Sequence, residues 1–358
     1  MRDNTGDLLV AKNKASIPNK IYRKLHWILF SKIKPGKWIH FFYASYRHRN
    51  KKPFPGADQR TVYITQIPNE GAGIGHQIAN FNGGYHYAMI FGIPFAYPGF
   101  RNKEWERFLG FGEHEMSIKE LKKQGYRMRK LPYFNESEES LALIRQIIRS
   151  YAGEKIILSV ELDQFYQKQY EVIPYIKRKF EEASARREDR LIYQKDRVSM
   201  AVHIRRGDIA AASIGENSAA KETAAVKKTD GDHEAAAQGM SKRWLSLNYF
   251  ENIAKQVSEK IGERLDIYLF SQGDPKDYQC FEKYGNVIYG FDMSDQDSFL
   301  HMVRADILVI SKSSFSYKPA LLADGIRICP PDFWHGYPED EKWIVADGEG
   351  RLPDVNWL

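Results

Sequence analysis

Apolar positions along this chain follow two rhythms that take turns. "TVYIT" (Thr61–Thr65) alternates β-formers and ends in a glycine-rich stretch, "NEGAGIGHQ". Beyond it, in "QIANFNGGYHYAMIF", Ile78, Phe81, Tyr85 and Met89 recur at helical spacing. "GIPFAYPGF" reads as a second strand, so strand, turn, helix and strand form a βαβ unit and predict a parallel sheet. From 101 to 190 the pattern turns helical and charged. "SIKELKKQGYRMRK", "SLALIRQIIRSYA" and "YIKRKFEEASARREDR" read as helices around one strand, "KIILSVEL".

Alternation resumes at Val198. The strands "SMAVHI", "LDIYLFSQ", "NVIYG", "ADILVIS" and "GIRICP" are separated by the helices "LNYFENIAKQVSEKI", "DPKDYQCFEKY", "DQDSFLHMVR" and "FSYKPALLA". This order predicts a doubly wound α/β half. One interruption, over 210–240, is rich in Ala, Lys, Glu, Gly and Thr and nearly lacks large apolar side chains, so a mobile loop is expected there. The predicted fold class is α/β, with two Rossmann-like domains over 60–195 and 196–358 behind an arm and linker over 1–59.

Charge changes the picture of that arm. Residues 1–60 hold 14 Lys and Arg against three Asp, a balance of +11, while the remaining chain has 39 basic and 43 acidic side chains. The body is therefore slightly acidic and the basicity belongs to the arm. Its cations are interleaved with Trp27, Phe30, Trp38, Phe41 and Phe42, a composition suited to an anionic membrane surface. Packing of the arm on its own domain is the alternative. No nucleic-acid-binding motif accompanies the charge, so nucleic acid is not an expected partner. Cys280 and Cys329 give neither a disulfide framework nor a zinc motif, and the first residues have no apolar signal region. A cytoplasmic setting, at most peripheral to the inner face of the membrane, is expected.

Three constellations carry chemistry. In "SMAVHIRRGD" a buried strand ends on His203, Arg205, Arg206 and Asp208. Strand alternation sends the two arginines to opposite sides. One can grip an anion with its planar fork while the other anchors the loop, through Asp208. In "ADILVISKSSFSYKPALLA" the hydroxyls of Ser311, Ser313, Ser314 and Ser316 meet a helix N-terminus, a potential anion site, with Pro319 expected in the first turn. In "GAGIGHQ", Gly71–Gln77, the spacing fails the dinucleotide fingerprint because His76 stands where the third glycine belongs. It remains a glycine-lined loop able to approach a ligand.

Together, "GAGIGHQ", "HIRRGD" and "DQDSFLHMVRADILVISKSSFSYKPALL" resemble the HxRRxD fucosyltransferase superfamily, which includes the bacterial α1,2- and α1,6-fucosyltransferases. The resemblance implies a GT-B-like architecture with the donor, GDP-fucose, in the cleft between the domains. It implies inverting, metal-independent transfer of fucose to a glycan or lipid-linked glycan acceptor, without a cofactor, with 60–195 on the acceptor side and 196–358 holding the donor. In that reading Arg205 stabilises the diphosphate, and Ser313, Ser314 and Ser316 bind the β-phosphate. His203, Gly73, Gly75 and Gln77 line the donor site. Asp297, with Asp295 as the second candidate, reads guanine, and Glu216 is the nearest match for the base. Arg206 and Asp208 are structural. Tyr317-Lys318-Pro319 departs from the Trp-Trp-Gly of the α1,2 enzymes, so no linkage is carried over. A different nucleotide-sugar donor, or a non-catalytic nucleotide- or glycan-binding protein of the same fold, is the alternative.

Overall fold

The computed structural model describes residues 37–68, 71–160, 169–186, 190–206 and 243–354. It contains two parallel sheets, one in each half of the chain. The first has the order β1-β3-β2, built from Val62–Gln66 (β1), Arg127–Lys130 (β2) and Ile156–Val160 (β3). The second has the order β6-β5-β4-β7-β8-β9. Its strands are Val198–His203 (β4), Leu265–Phe270 (β5), Asn286–Tyr289 (β6), Ile307–Val309 (β7), Ile326–Cys329 (β8) and Trp343–Val345 (β9). Every described strand pairing is parallel. Strands β4 and β5 are buried along nearly their whole length, as a sheet covered on both faces requires.

The helices are Ala44–His48 (α1), Ile74–Phe91 (α2), Lys103–Leu109 (α3), Ile118–Lys123 (α4), Glu138–Ser150 (α5), Ile173–Glu182 (α6), Leu247–Ile261 (α7), Asp295–Arg304 (α8) and Ser314–Leu322 (α9). Helix α9 packs against α2 and α6 and so joins the halves. Beside it Phe299 of α8 wedges among rings of the first half. Its centroid lies 5.5 Å from Trp105, 5.7 Å from Phe108 and 6.2 Å from Phe180. One apolar core is continuous through this contact, and a second fills the opposite face of the larger sheet around Phe250, Ile267 and Val309.

Four local expectations change. "GIPFAYPGF" forms only two isolated bridges, Phe95 with Ile64 and Tyr97 with Ser117, because Pro94 and Pro98 lack the N–H groups that a longer ladder needs. The helix expected over "SIKELKKQGYRMRK" stops at Lys123; Gly125, at φ 89°, turns the chain into β2. Pro319 lies in the interior of α9 and not in its first turn, so the carbonyl of Phe315 loses its usual N–H donor. The end of the segment read as arm and linker belongs to the first half. Tyr43 and Tyr46 pack with Leu143, Ser45 donates to the Lys130 carbonyl at 2.5 Å, and the His48 ring stacks on Tyr151 at 3.8 Å. Phe41 and Phe42 remain exposed. No helix among the described residues is long and apolar enough to cross a membrane.

Candidate functional site

The carboxyl ends of β4, β5, β6 and β7 open onto a cleft of about 990 Å³ whose opposite wall is the start of α2. Open α/β sheets bind ligands at such strand ends, where neighbouring crossovers diverge. Here the divergence falls between β4 and β7, because the chain leaves β4 for β5 on one side and reaches β7 on the other.

Two helix N-termini meet at that point. Gly73 caps α2 with extended backbone, and Ser313 caps α9 by accepting from the N–H of Phe315. They come close because residue 75 is glycine. A Cβ there would sit 2.9 Å from the carbonyl carbon and Cβ of Ser314, nearer than real contacts allow. Gly73, Gly75, Ser313 and Ser314 all line the cleft. Unpaired N–H groups and the positive ends of two helix dipoles therefore face one volume.

Arg205 lines the same volume, whereas Arg206 does not. The Arg206 guanidinium lies 4.1 Å over the Trp244 ring and donates to the Leu245 carbonyl at 3.1 Å. Burial lowers its pKa from the ordinary arginine value. Asp208 and Glu216 lie outside the described residues, as does the loop at 210–240.

His203 lines the cleft while its Nδ1 pairs with the Ser311 hydroxyl at 2.8 Å. Burial, reinforced by Arg205, pushes its pKa down to about 3, so the ring is neutral near pH 7. Ser316 is fully buried, its hydroxyl directed to the Ser311 and Ser313 carbonyls at 3.5 and 3.4 Å, and does not reach the cleft. Gln77 does not reach it either. Its amide donates to the Ala72 carbonyl and accepts from the Arg101 N–H, each at 3.0 Å, and so braces the glycine loop.

The two acids at the start of α8 separate clearly. Asp297 caps the helix reciprocally with Ser294 and pairs with Arg190 at 3.2 Å. It is not a lining residue; Asp295 is. The helix turn explains the exchange, since two residues along α8 is about 200° of rotation.

Sequence reasoning missed several lining groups: Arg243, Phe291, Trp334 and His335. Each stands in a loop with no local pattern around it. It also missed Lys318, whose buried Nζ has no hydrogen-bond partner among the described residues and lies 5.3 Å over the Tyr317 ring. Burial pushes that amine well below the ordinary lysine range. His335 is pushed down to about 2 by burial, with Lys318 and His76 adding to the effect. Among the described residues no group of three His, Cys, Asp or Glu side chains is arranged to hold a metal ion.

No protein-family model matches the chain, and no curated protein matches it in sequence. Among solved structures, POFUT1 in complex with GDP is 16% identical over 75% of this chain and 96% of that one, with a TM-score of 0.40. POFUT1 in complex with GDP-fucose is 14% identical over 75% and 96%, with a TM-score of 0.42. The E. coli heptosyltransferase WaaC with ADP is 9% identical over 80% and 93%, with a TM-score of 0.35. Likeness at that level assigns neither ligand nor activity to this chain.

Proposed function

We propose that the protein is an inverting glycosyltransferase that moves fucose from GDP-fucose to a glycan acceptor. The observation that carries this reading is that Arg205 lines one cleft together with the adjoining N-termini of α2 and α9. Two helix dipoles, two serine hydroxyls and one permanent guanidinium suit a diphosphate and little else of that size. The sequence resemblance supplies the donor sugar.

In this mechanism the acceptor hydroxyl attacks the anomeric carbon as the bond from that carbon to the diphosphate oxygen breaks. Negative charge grows on the departing GDP, where Arg205, Ser313, Ser314 and the free N–H groups of α9 stabilise it. Because these donors are already fixed, little reorganisation is needed as the charge forms. The hydroxyl proton goes to a carboxylate, for which Glu216 is the proposed base. His203 is not assigned that task, since its Nδ1 is engaged with Ser311 and its basicity is suppressed. Asp295 replaces Asp297 as the proposed reader of guanine, accepting from N1–H and the exocyclic amine, a pattern that adenine does not present. Phe291 lines the cleft beside it and offers a ring for the base to stack on.

The membrane role proposed for the arm concerns the residues before Tyr43, where the packed part begins. The exposed Phe41 and Phe42 favour it. Binding to vesicles that rises with anionic lipid and falls with salt is the expected behaviour.

Calorimetry with GDP, UDP, CMP and ADP, each with and without EDTA, tests the donor assignment. GDP is expected to bind best, at micromolar to millimolar strength, in both conditions. Equal affinity for all four nucleotides, or GDP binding that vanishes in EDTA, contradicts the proposal. GDP binding with neither transfer nor hydrolysis of GDP-fucose identifies a binding protein instead.

A further inference from the structure

The order of the larger sheet lays the cleft out along a line. Ser271, Gln272, Phe291 and Asp295 follow β5 and β6 at one side; Arg205, Ser313 and Ser314 follow the central β4 and β7. Trp334 and His335 follow β8 on the opposite side. With a diphosphate held at the centre, nucleoside and sugar leave it in opposite directions, because each is esterified to a different phosphate. A base beside Asp295 therefore directs the sugar toward Trp334.

Trp334 is built to be presented. The chain leaving β8 turns at Asp332, which has φ 57°, a left-handed conformation uncommon outside glycine, asparagine and aspartate. Phe333 and His335, on either side of Trp334, are buried, and the Phe333 ring lies 4.3 Å from the indole. The Tyr317 hydroxyl donates to the Gly336 carbonyl at 3.1 Å, and that of Tyr337 to the Pro330 carbonyl at 2.7 Å. The loop is thus pinned by two hydrogen bonds and two buried side chains, yet Trp334 remains 40% exposed on the cleft wall. A large apolar ring held rigidly toward an open cleft is a recognition surface more readily than a packing element.

We propose that Trp334 is the stacking platform for the acceptor saccharide, a pyranose whose C–H face lies on the indole. The Arg243 guanidinium lies 4.9 Å over the same ring and covers part of one face of the platform, so the pyranose takes the indole surface that it leaves open. The exposure of the indole favours the acceptor over the transferred sugar. The transferred sugar adjoins the diphosphate, between Arg205 and the start of α2, whereas the acceptor arrives from solvent across the rim. This assignment rests on the nucleotide-sugar reading above.

The test uses saturation-transfer NMR on the full chain saturated with GDP, with the methyl glycosides of galactose, glucose and N-acetylglucosamine as probes. Wild type, W334A and W334F are compared, and calorimetry supplies the affinities of each for GDP and GDP-fucose. At least one glycoside is expected to receive saturation on one ring face in the wild type. W334A is expected to weaken that glycoside about tenfold, W334F to recover much of the loss, and GDP affinity to move far less. Glycoside binding that is unchanged in W334A overturns the assignment, as does the lack of any glycoside signal in the wild type. A tenfold loss of GDP-fucose affinity without a matching loss for GDP overturns it too, placing Trp334 on the donor sugar. Failure of the wild type to bind GDP removes the nucleotide-sugar reading, while glycoside signals lost in W334A would still mark a saccharide platform.

Discussion

The two halves of the molecule differ in what they do with their polar groups. The second half pairs many of them, although Lys318 Nζ, the Tyr249 hydroxyl, Asp266 Oδ2 and Arg327 Nε are buried with no hydrogen-bond partner among the described residues. Arg197 meets Asp266 at 2.6 Å, the Ser199 hydroxyl donates to Asp306 at 2.7 Å, and His203 pairs with Ser311. The first half buries Gln66, Asn80 and Asn82 with no hydrogen-bond partner among the described residues for either end of each amide. It gives the cleft only the start of α2, while the second half gives strand ends, Arg205, Asp295, Trp334 and the α9 N-terminus. Preorganised charge therefore belongs to the second half, and the first supplies a wall. The lesson is that substitutions in the two halves should fail, or succeed, in different ways.

The largest expected effect is at Arg205. Arg205→Ala should lower transfer more than a hundredfold, since a charge that meets the leaving group is worth on the order of 3 kcal/mol or more. Its melting temperature should be nearly unchanged. Arg206→Ala should do the reverse, lowering the melting temperature by about 2–4 °C as the Trp244 stack and the Leu245 bond are lost. Thermal scans and initial rates on both variants decide the matter, and exchanged phenotypes would break the assignment.

Next in size is the contrast within α8. Asp295→Asn is expected to erase about tenfold or more of the preference for GDP over ADP. Asp297→Asn should keep the preference and lose only a helix cap and the Arg190 pair, about 1 kcal/mol of stability. Calorimetric affinities for the two nucleotides separate these outcomes. A preference that follows Asp297 would return the base-reading role to it.

A smaller effect comes from pH. His203 and His335 are held neutral in the fold with pKa values near 3 and 2, well under the ordinary histidine value of 6.5. Below about pH 6.5 the unfolded chain takes up protons that the native state refuses, so stability is full above that pH and falls as the solution is acidified toward pH 3. Melting temperatures measured from pH 7.5 to 4 should decline, and His203→Gln should flatten the slope. A flat profile in the parent protein would contradict the burial of neutral rings. The smallest effect is expected at the orphan amides. Asn80→Leu should leave stability level or raise it by about 1 kcal/mol, because a buried amide without a partner is costly. Ser199→Ala in the second half should lower it. Denaturant midpoints compare the two directly.

Much of the fold was legible because its signals are periodic. Strands β4, β5 and β7 are predominantly apolar runs, and the helices between them carry one apolar face each. Strand β2 was not legible. "RMRK" lacks both apolar alternation and burial, and what makes it a strand is only its pairing with β3. Strand β9 has just three residues, ordered by the β8 edge. At the site, Arg205 could be found because it ends a strand, and the serines because they open a helix. Asp295 and Asp297 could not be ranked from sequence, since only the rotation of α8 decides which one meets the cleft. Trp334 and Arg243 had no local signature at all. Their proximity arises from the tertiary folding of two loops that lie far apart in the chain.

Phe299 has a thermodynamic consequence of its own. Because its ring is shared with Trp105, Phe108 and Phe180, neither half can melt without stripping apolar surface from the other. Heat should therefore find a single cooperative unit, not two that come apart in turn. Calorimetric and van't Hoff enthalpies for the whole chain should agree, and Phe299→Ala should split one endotherm into two by loosening the joint between the halves.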